Sequence, residues 1–226
     1  MLQTNRVVAL IAAATAVGAC SPADEESQKA RVTEFAPGLE QHPTAAWECD
    51  STGYIVTELN NDNSIWLYVP GQTVRLNPAV TDTDFDFGDK RMGVSVAGDH
   101  AVLTLDGSNE NCLRNARASI TEDARLRGVS FRGTGNEPPW TLEIGPEEIV
   151  LLTGYDSERH AFPLTEPVLI DSGNASRFVS RNDIQDIDIL ISANGCSDSM
   201  SGEKFASRIN VTMAGTSLQG CGNPLR

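Results

Sequence analysis

From residue 47 onward, the chain consists of short apolar runs separated by glycine, proline, asparagine or aspartate. Runs of this length are typical of strands, and the turn residues between them favour antiparallel hairpins. The runs that predict strands are residues 54–59, 65–69, 74–76, 92–96, 101–105, 141–144, 149–153, 188–192 and 209–213. The sequence therefore predicts a mainly β protein, with a small antiparallel β-barrel followed by a second β-rich domain.

The first twenty residues have a different character. Arg6 precedes an apolar run over residues 7–19, which ends at Cys20. A stable transmembrane helix needs about 20 apolar residues, so the shorter run predicts a secretory signal peptide over 1–19. The junction Val17-Gly18-Ala19-Cys20 resembles the bacterial lipobox, which implies that Cys20 is the lipid-modified first residue of the mature protein. Its acyl chains, typically including palmitate, would attach the protein stably to a membrane. Ordinary secretion with a free Cys20 is the alternative.

Residues 20–45 are polar and contain three prolines, so they predict a flexible tether. Ser21, directly after Cys20, is similar to outer-membrane sorting signals of enteric bacteria. This likeness implies an outer-membrane protein that faces the periplasm. The tether is expected to hold the folded part away from the membrane.

The net charge constrains the class of partner. The chain has 17 basic and 31 acidic residues, and without Arg6 the mature chain has 16 basic residues and a net charge of 16 − 31 = −15. Nucleic acid would be repelled by this charge, so no nucleic-acid partner is expected. A cationic protein partner is favoured, although strong acidity also serves solubility alone.

Four cysteines remain once Cys20 is set aside, and an even number in an oxidising compartment predicts two disulfides. Three pairings are possible from the sequence. If each pair closes its own domain, the bridges are Cys49–Cys112 and Cys196–Cys221. Each would contribute roughly 3–4 kcal/mol by the loop-entropy model.

The first half of the chain resembles the membrane-bound inhibitors of c-type lysozyme, the MliC family of small periplasmic β-barrels. The matching segments are Trp47-Glu-Cys49-Asp50, Ile65-Trp-Leu-Tyr-Val-Pro-Gly71, Val74-Arg-Leu76, Gly98-Asp-His-Ala-Val-Leu-Thr-Leu-Asp-Gly107 and Cys112. The resemblance implies a barrel over residues 46–113, with cysteines at its two ends that fit the single bridge of the family. It also implies c-type lysozyme as the partner.

The resemblance further implies that a loop of the barrel enters the lysozyme cleft and offers a hydroxyl and a cation to the catalytic carboxylates. Alignment on Gly98-Asp99 places Thr81 at the hydroxyl position and Phe85 at the aromatic position, with Thr83 between them. A carboxylate pair is satisfied by a hydrogen-bond donor and a cation, so these residues are the expected lysozyme-binding residues.

This loop also departs from the family pattern. Asp82 and Asp84 stand where the family has glycine and arginine, and Ala97 replaces the lysine before Gly-Asp. Two added carboxylates would face the acidic lysozyme cleft, and unpaired like charges at an interface cost several kcal/mol. Lys90 and Arg91 are the cations nearest in sequence, and they are expected to replace the lysine. A non-inhibitory structural or interaction lipoprotein of the envelope is therefore the alternative function.

Residues 131–222 resemble an uncharacterised META-like domain of bacterial lipoproteins, and this likeness implies a β-rich domain over residues 128–226. The matching motifs are Phe131-Arg-Gly-Thr-Gly-Asn136-Glu137-Pro138-Pro-Trp140, Cys196-Ser-Asp198-Ser-Met200-Ser201-Gly202 and Gly220-Cys221. Asn136, Glu137, Asp198 and Ser201 are expected to cap turns around the second bridge. Residues 114–127 predict an interdomain linker that is helical in part, and the glycine pair at 133 and 135 predicts a turn.

The sequence favours a binding protein over an enzyme, and it predicts no cofactor. His42, His100 and His160 share no ligand spacing, and no Gly-x-Ser-x-Gly motif or nucleophile–base pair occurs. The alternating aspartates from Asp82 to Asp89 lack the glycine and the glutamate that an EF-hand loop requires. They are interpreted as an acidic hairpin whose alternate side chains face water, and no metal site is predicted.

Overall fold

The fold is taken from a computed structural model, which describes residues 44–79, 86–155 and 157–225. The predicted mainly β architecture is confirmed: an eight-stranded barrel-like sheet is followed by a nine-stranded curled sheet. In the described part of the chain, no helix has both the length and the apolar character needed to cross a membrane.

The first sheet forms a nearly closed barrel. Its strands are β1 (Thr44–Cys49), β2 (Gly53–Leu59), β3 (Ile65–Val69), β4 (Gln72–Leu76), β5 (Phe87–Gly88), β6 (Met92–Ala97), β7 (His100–Leu105) and β8 (Ser108–Arg114). They pair in the order β4-β3-β2-β1-β8-β7-β6-β5, and a bridge between Pro78 and Phe87 joins the two edges. Inward residues alternate along β3, as Ile65, Leu67 and Val69 show, and these three residues belong to the core of the barrel.

The first disulfide joins Cys49 and Cys112, which lie opposite each other on β1 and β8. Beside it, Trp47 is fully buried and donates its indole N–H to Thr57 Oγ1 at 3.0 Å. The bridge therefore joins the first strand of the barrel to its last strand, as the preferred cysteine pairing predicted.

The helix α1 (Ala116–Leu126) follows the barrel and packs against β1. Asn115 caps its N-terminus by accepting a hydrogen bond from Ala118 N at 2.9 Å. The helix binds the β1 backbone directly, because Asn115 N donates to Ala46 O and Ala46 N donates to Ser119 Oγ, both at 2.9 Å. The segment predicted as a linker is therefore a packed helix that covers part of the barrel.

The second sheet contains nine strands, and a separate two-stranded hairpin lies beside it. The strands in chain order are β9 (Phe131–Asn136), β10 (Pro139–Ile144), β11 (Glu148–Thr153), β12 (Glu158–Pro163), β13 (Val168–Ile170), β14 (Ala175–Arg181), β15 (Asp186–Ser192), β16 (Cys196–Ser197), β17 (Lys204–Phe205), β18 (Ser207–Met213) and β19 (Thr216–Pro224). The sheet order is β12-β11-β10-β9-β19-β18-β15-β14-β13, and β16 pairs with β17. The second predicted disulfide, Cys196–Cys221, joins this hairpin to β19.

Side chains close the second sheet across its open edge. Ser180 Oγ donates to Pro163 O at 2.7 Å, and Asn182 Nδ2 donates to Ala161 O at 2.9 Å. These bonds join β14 and the residue after it to β12. The sheet therefore curls around a core of its own, which includes Trp140, Leu142 and Ile189.

Two local predictions need correction. The tether was predicted to extend to residue 45, but Thr44 and Ala45 are buried residues of β1. The glycine pair at 133 and 135 was predicted as a turn, but both residues lie within β9. A methyl group on Gly135 would lie 2.1 Å from Trp140 Nε1, so glycine is needed here for side-chain packing rather than for turning the chain.

Candidate functional site

The barrel end that carries the turn between β6 and β7 is the candidate site, and we call it the loop rim. It comprises Ala79, Asp86 and residues 97–100. Ala79 N donates to Asp86 O at 2.9 Å, and Asp86 N donates to Val94 O at 3.0 Å. The Asp86 carboxylate also accepts a hydrogen bond from Val96 N at 2.7 Å. The residues that flank segment 80–85 are therefore held beside the Ala97 end of β6.

Segment 80–85 itself lies outside the described residues, and with it the predicted lysozyme-binding residues Thr81, Thr83 and Phe85. Cys20 also lies outside them. The structure therefore places the flanks of the predicted inhibitory loop and the Gly98-Asp99 turn next to each other, while the roles of Thr81, Thr83 and Phe85 stay predictions.

Lys90 and Arg91 lie at the other end of the barrel from the loop rim. They belong to the turn between β5 and β6, and Arg91 Nε is 3.7 Å from Asp106 Oδ1 in the turn between β7 and β8. β6 runs from Met92 to Ala97, a span of about 17 Å at the usual rise of a strand. The expectation that these cations replace a lysine beside Gly98 is therefore not supported by their position, because a whole strand separates them from it.

The aspartates near this loop have structural roles. The Asp89 carboxylate accepts hydrogen bonds from Arg91 N at 2.8 Å and from Met92 N at 3.1 Å, and these bonds lower the pKa of Asp89. Asp86 holds Val96 N in the same way, so its side chain does not simply face water as expected. Among the described residues, no three histidine, cysteine or acidic side chains form a group that would hold a metal ion.

The outer surface of the loop rim carries both charge signs. Arg114 Nη1 lies 4.0 Å from Asp99 Oδ1, and only 9 % of the Arg114 side chain is exposed. His100 is exposed and lies opposite Ala97 across the hairpin. The rim can therefore present an imidazole next to the base of the loop, while the guanidinium of Arg114 is largely covered.

A second concave site, the inter-sheet cleft, lies where α1 meets both sheets and has a volume of about 460 Å³. Its lining residues are Thr44, Glu58, Asp123, Leu126, Arg127, Val129, Glu143, Gly145, Pro146, Glu147, Glu148 and Val150. Arg127 Nε donates to Asp123 Oδ2 at 2.7 Å, and Arg127 Nη2 lies 2.9 Å from Glu143 Oε2. Glu143 is also bound by Arg132 Nε at 3.2 Å. The charges at the base of the cleft are thus paired with one another, so they join the two halves of the molecule.

The second-domain motifs meet in one capped turn. Asp198 Oδ1 accepts hydrogen bonds from Ser201 N at 2.7 Å and from Met200 N at 3.0 Å, and Asn136 Nδ2 donates to Asp198 Oδ2. The backbone and hydroxyl of Ser201 lower the pKa of Asp198 from its ordinary value of 3.8 to about 2. The predicted capping role is confirmed for Asn136, Asp198 and Ser201. Glu137 is exposed and takes no part in the contacts described for this turn.

Sequence reasoning missed Asp123 and Arg127, which join the two halves at the inter-sheet cleft. Their spacing of four residues in a helix-compatible stretch is a signal for an ion pair on one helix face, although it does not indicate burial.

Comparison of the chain with family models, with curated proteins and with solved structures finds no match.

Proposed function

We propose that this protein is a lipid-anchored protein of the bacterial envelope that binds and inhibits c-type lysozyme, rather than an enzyme. The observation that carries the proposal is the loop rim. There, the flanks of segment 80–85 are hydrogen-bonded to each other and to β6, beside the Gly98-Asp99 turn. The fixed flanks bring both ends of the segment that carries the predicted lysozyme-binding residues to one place on the barrel, where a single partner can cover them.

The chemistry of the loop supports a contact with carboxylates. Thr81 offers a hydroxyl donor, while Thr83 and Phe85 add a second hydroxyl and an aromatic contact surface. A hydrogen bond from a hydroxyl to a charged carboxylate is roughly twice as strong as one between neutral groups. The net charge of −15 on the mature chain would also accelerate encounter with a cationic lysozyme.

The proposed anchor is the lipid on Cys20, after removal of residues 1–19. Because β1 begins at Thr44, residues 20–43 separate the anchor from the first strand. Ser21 favours the outer membrane, with the folded part facing the periplasm. In that position the barrel would meet lysozyme that has crossed the outer membrane.

A second candidate function is a structural or interaction role in the envelope without inhibition. Two observations favour it. Asp82 and Asp84 stand where the inhibitor family has glycine and arginine, and Lys90 and Arg91 lie at the end of β6 that is remote from Gly98. Unpaired like charges in an interface cost several kcal/mol, so the loop would then fail to bind the lysozyme cleft.

Titration of c-type lysozyme activity with the soluble chain that lacks the anchor cysteine, residues 21–226, decides between the two functions. Inhibition that saturates at a one-to-one ratio supports the first proposal. A suitable comparison is the same chain with the loop hydroxyls and the aromatic removed together, as Thr81→Ala, Thr83→Ala and Phe85→Ala. Full lysozyme activity at a large excess of the unchanged chain would contradict inhibition and favour the structural or interaction role in the envelope.

A further inference from the structure

β13 is an edge strand of the second sheet, and its three side chains are apolar and exposed. It is the last strand in the order of that sheet, and Val168 and Leu169 are 64 % and 68 % exposed. Edge strands of natural proteins usually carry charged side chains that prevent pairing with other chains. We propose that β13 binds an extended, cationic segment of a partner protein, which pairs with this edge as an additional strand. The interaction is separate from the proposed lysozyme inhibition.

The path of the chain explains why this edge is open. β12 and β13 lie one after the other along β14, because Ser180 of β14 binds Pro163 O of β12 while residues 175–177 pair with β13. On its other side β12 pairs with β11, and this contact ends where Leu164 N donates to Glu147 O at 3.0 Å. β13 therefore extends past the end of β11, and none of the described strands lies along its outer edge.

The outer face of β14 continues the apolar surface of β13. Phe178 is buried in the core, and its neighbour Val179 is 55 % exposed on the opposite face of the sheet. Val168 is the cross-strand partner of Arg177, which lies on the same outer face as Val179. The solvated face of an antiparallel sheet usually carries polar residues. Val168, Ile170 and Val179 instead form an apolar strip, which a strand added at this edge would continue.

The charges at the two ends of β13 determine the charge of the partner. Glu166 lies two residues before the strand and Asp171 directly follows it, and both are exposed. Neither carboxylate forms an ion pair with another described residue. The nearby Arg177 is already paired, since its Nε donates to Asp188 Oδ1 at 2.9 Å. A segment with basic residues at both of its ends would therefore be attracted by both carboxylates.

A second copy of this chain fits the edge less well than a cationic segment does. Antiparallel pairing of two β13 strands about Leu169 would bring Glu166 and Asp171 of one copy close to the same two carboxylates of the other. Like charges opposite each other destabilise a pair of strands. The mature chain also carries a net charge of −15, so two copies repel each other. With a cationic segment, the main-chain bonds of the edge and the charges at its ends act in the same direction.

The test measures binding of a short synthetic peptide to the soluble chain, residues 21–226, by calorimetric titration. The peptide alternates valine with threonine and has lysine at both ends, so it matches the apolar strip and the two carboxylates. We expect a Kd on the order of 10–100 μM, because the interface is small. A peptide with glutamate in place of lysine, and one whose N-methylated amides cannot pair with a strand, should each bind at least about tenfold more weakly.

Two double variants of the protein test the residues that carry the proposal. Val168→Ser with Ile170→Ser removes apolar contact surface and should weaken binding of the lysine peptide about tenfold. Met200→Ser, which changes an exposed apolar residue of the β16–β17 turn, is the matched control and should bind unchanged. The replaced side chains are exposed, so the melting temperatures of these variants should equal that of the unchanged protein.

The second double variant removes the charges at the ends of β13. Glu166→Gln with Asp171→Asn should weaken binding of the lysine peptide about fivefold at low salt, and it should remove most of the salt dependence. Glu137→Gln, at an exposed position outside this surface, is the matched control.

Amide hydrogen exchange locates the bound peptide. The lysine peptide should slow exchange in residues 168–170 and leave β1 to β8 unchanged. Absence of binding, equal binding of the N-methylated peptide, or equal binding by the unchanged chain and both double variants would overturn the proposal. Self-association of the protein that Val168→Ser with Ile170→Ser abolishes would overturn it too, because a second copy would then occupy the edge. Each of these results leaves the proposed lysozyme inhibition as it stands.

Discussion

Polar residues buried between the sheets are stabilising only through their partners, and Asp123 is the clearest case. It is 2 % exposed and lies on the face of α1 that meets β1. Thr44 Oγ1 donates to Asp123 Oδ1 at 3.3 Å, and Arg127 Nε donates to Oδ2 at 2.7 Å. A buried carboxylate destabilises a protein unless it is paired and hydrogen-bonded. Asp123 is therefore a sensitive probe of the contact between helix and barrel.

Replacement of Asp123 by alanine removes the acceptor of Thr44 Oγ1 and one partner of the Arg127 guanidinium. We expect the free energy of unfolding to fall by about 3 kcal/mol, as is usual when one member of a buried pair is lost. Urea unfolding at pH 7 measures the change. The matched control is Asp186→Ala, which breaks the exposed pair with Arg181 and should cost less than about 1 kcal/mol. Equal losses in the two variants would contradict the assigned role of Asp123.

At the same scale, Thr81 is the residue on which the proposed inhibition depends. The resemblance to the inhibitor family implies that Thr81 supplies the hydroxyl of the loop. Loss of a central, desolvated contact typically costs 2 kcal/mol or more, so Thr81→Ala should weaken inhibition roughly thirtyfold. Gln41→Ala in the predicted tether should leave the inhibition constant unchanged.

A gain of inhibition tests the same loop in the other direction. The double change Asp82→Gly with Ala97→Lys removes a like charge and adds a cation beside Gly98. It should strengthen inhibition, because both changes favour approach to carboxylates. If neither Thr81→Ala nor the double change moves the titration curve, the loop is not the inhibitory surface.

At the scale of the elements, strands β9 and β19 of the second sheet pack closely against the Trp140 side chain of β10. Glycines at 135 and 220 leave space for the Trp140 indole, since a methyl group on Gly220 would lie 2.6 Å from Trp140 Cζ2. The last residue of β9, Asn136, binds the turn of the β16–β17 hairpin by donating a hydrogen bond to Asp198. Both sequence motifs of this domain are therefore accounted for by packing and capping around the second disulfide.

The turn capped by Asp198 predicts how the stability of the folded protein depends on pH. The pKa of Asp198 is depressed to about 2, so its ionised form stabilises the folded state above about pH 4. That contribution is lost as the pH falls through about 2. The melting temperature of Asp198→Asn should therefore lie below that of the unchanged protein at pH 6, and the difference should shrink toward pH 2. Asp183→Asn, in another exposed turn, is the control. A difference that stays constant down to pH 2 would contradict the capping role of the charge.

Across the whole molecule, α1 binds both sheets and so couples them. Its N-terminal half holds the β1 backbone, and Arg125 Nε donates to Leu225 O at 3.0 Å near the end of the chain. Ala124, Val129 and Leu225 form a small buried cluster at the same place. The helix therefore joins the barrel to the second sheet through specific contacts. The inter-sheet cleft lies where these three parts meet.

The proposed anchor is also a property of the whole molecule, since a single thiol would attach all of it. Cys20→Ala should release the protein from the membrane, because it removes the site of lipid attachment. Fractionation of cells that produce the variant measures this, with Cys20 unchanged as the reference. Recovery of the variant in the membrane pellet would refute the proposed lipid anchor.

The sequence by itself determined the features that depend on neighbouring residues. The strand over 65–69 has the predicted bounds, the Gly98-Asp99 turn lies where its residue types indicated, and the preferred cysteine pairing is present. Alternation of apolar residues and turn chemistry act over a few positions, so they can be recognised without the fold.

Only the tertiary structure decided which of these local features meet. Lys90 and Arg91 are close to Gly98 in sequence, yet the length of β6 places them at the opposite end of the barrel. The pairing of β19 with β9 and the burial of Asp123 against Thr44 likewise join residues that are far apart along the chain. Such contacts depend on strand order and on the packing of α1, which are long-range properties that no local pattern carries.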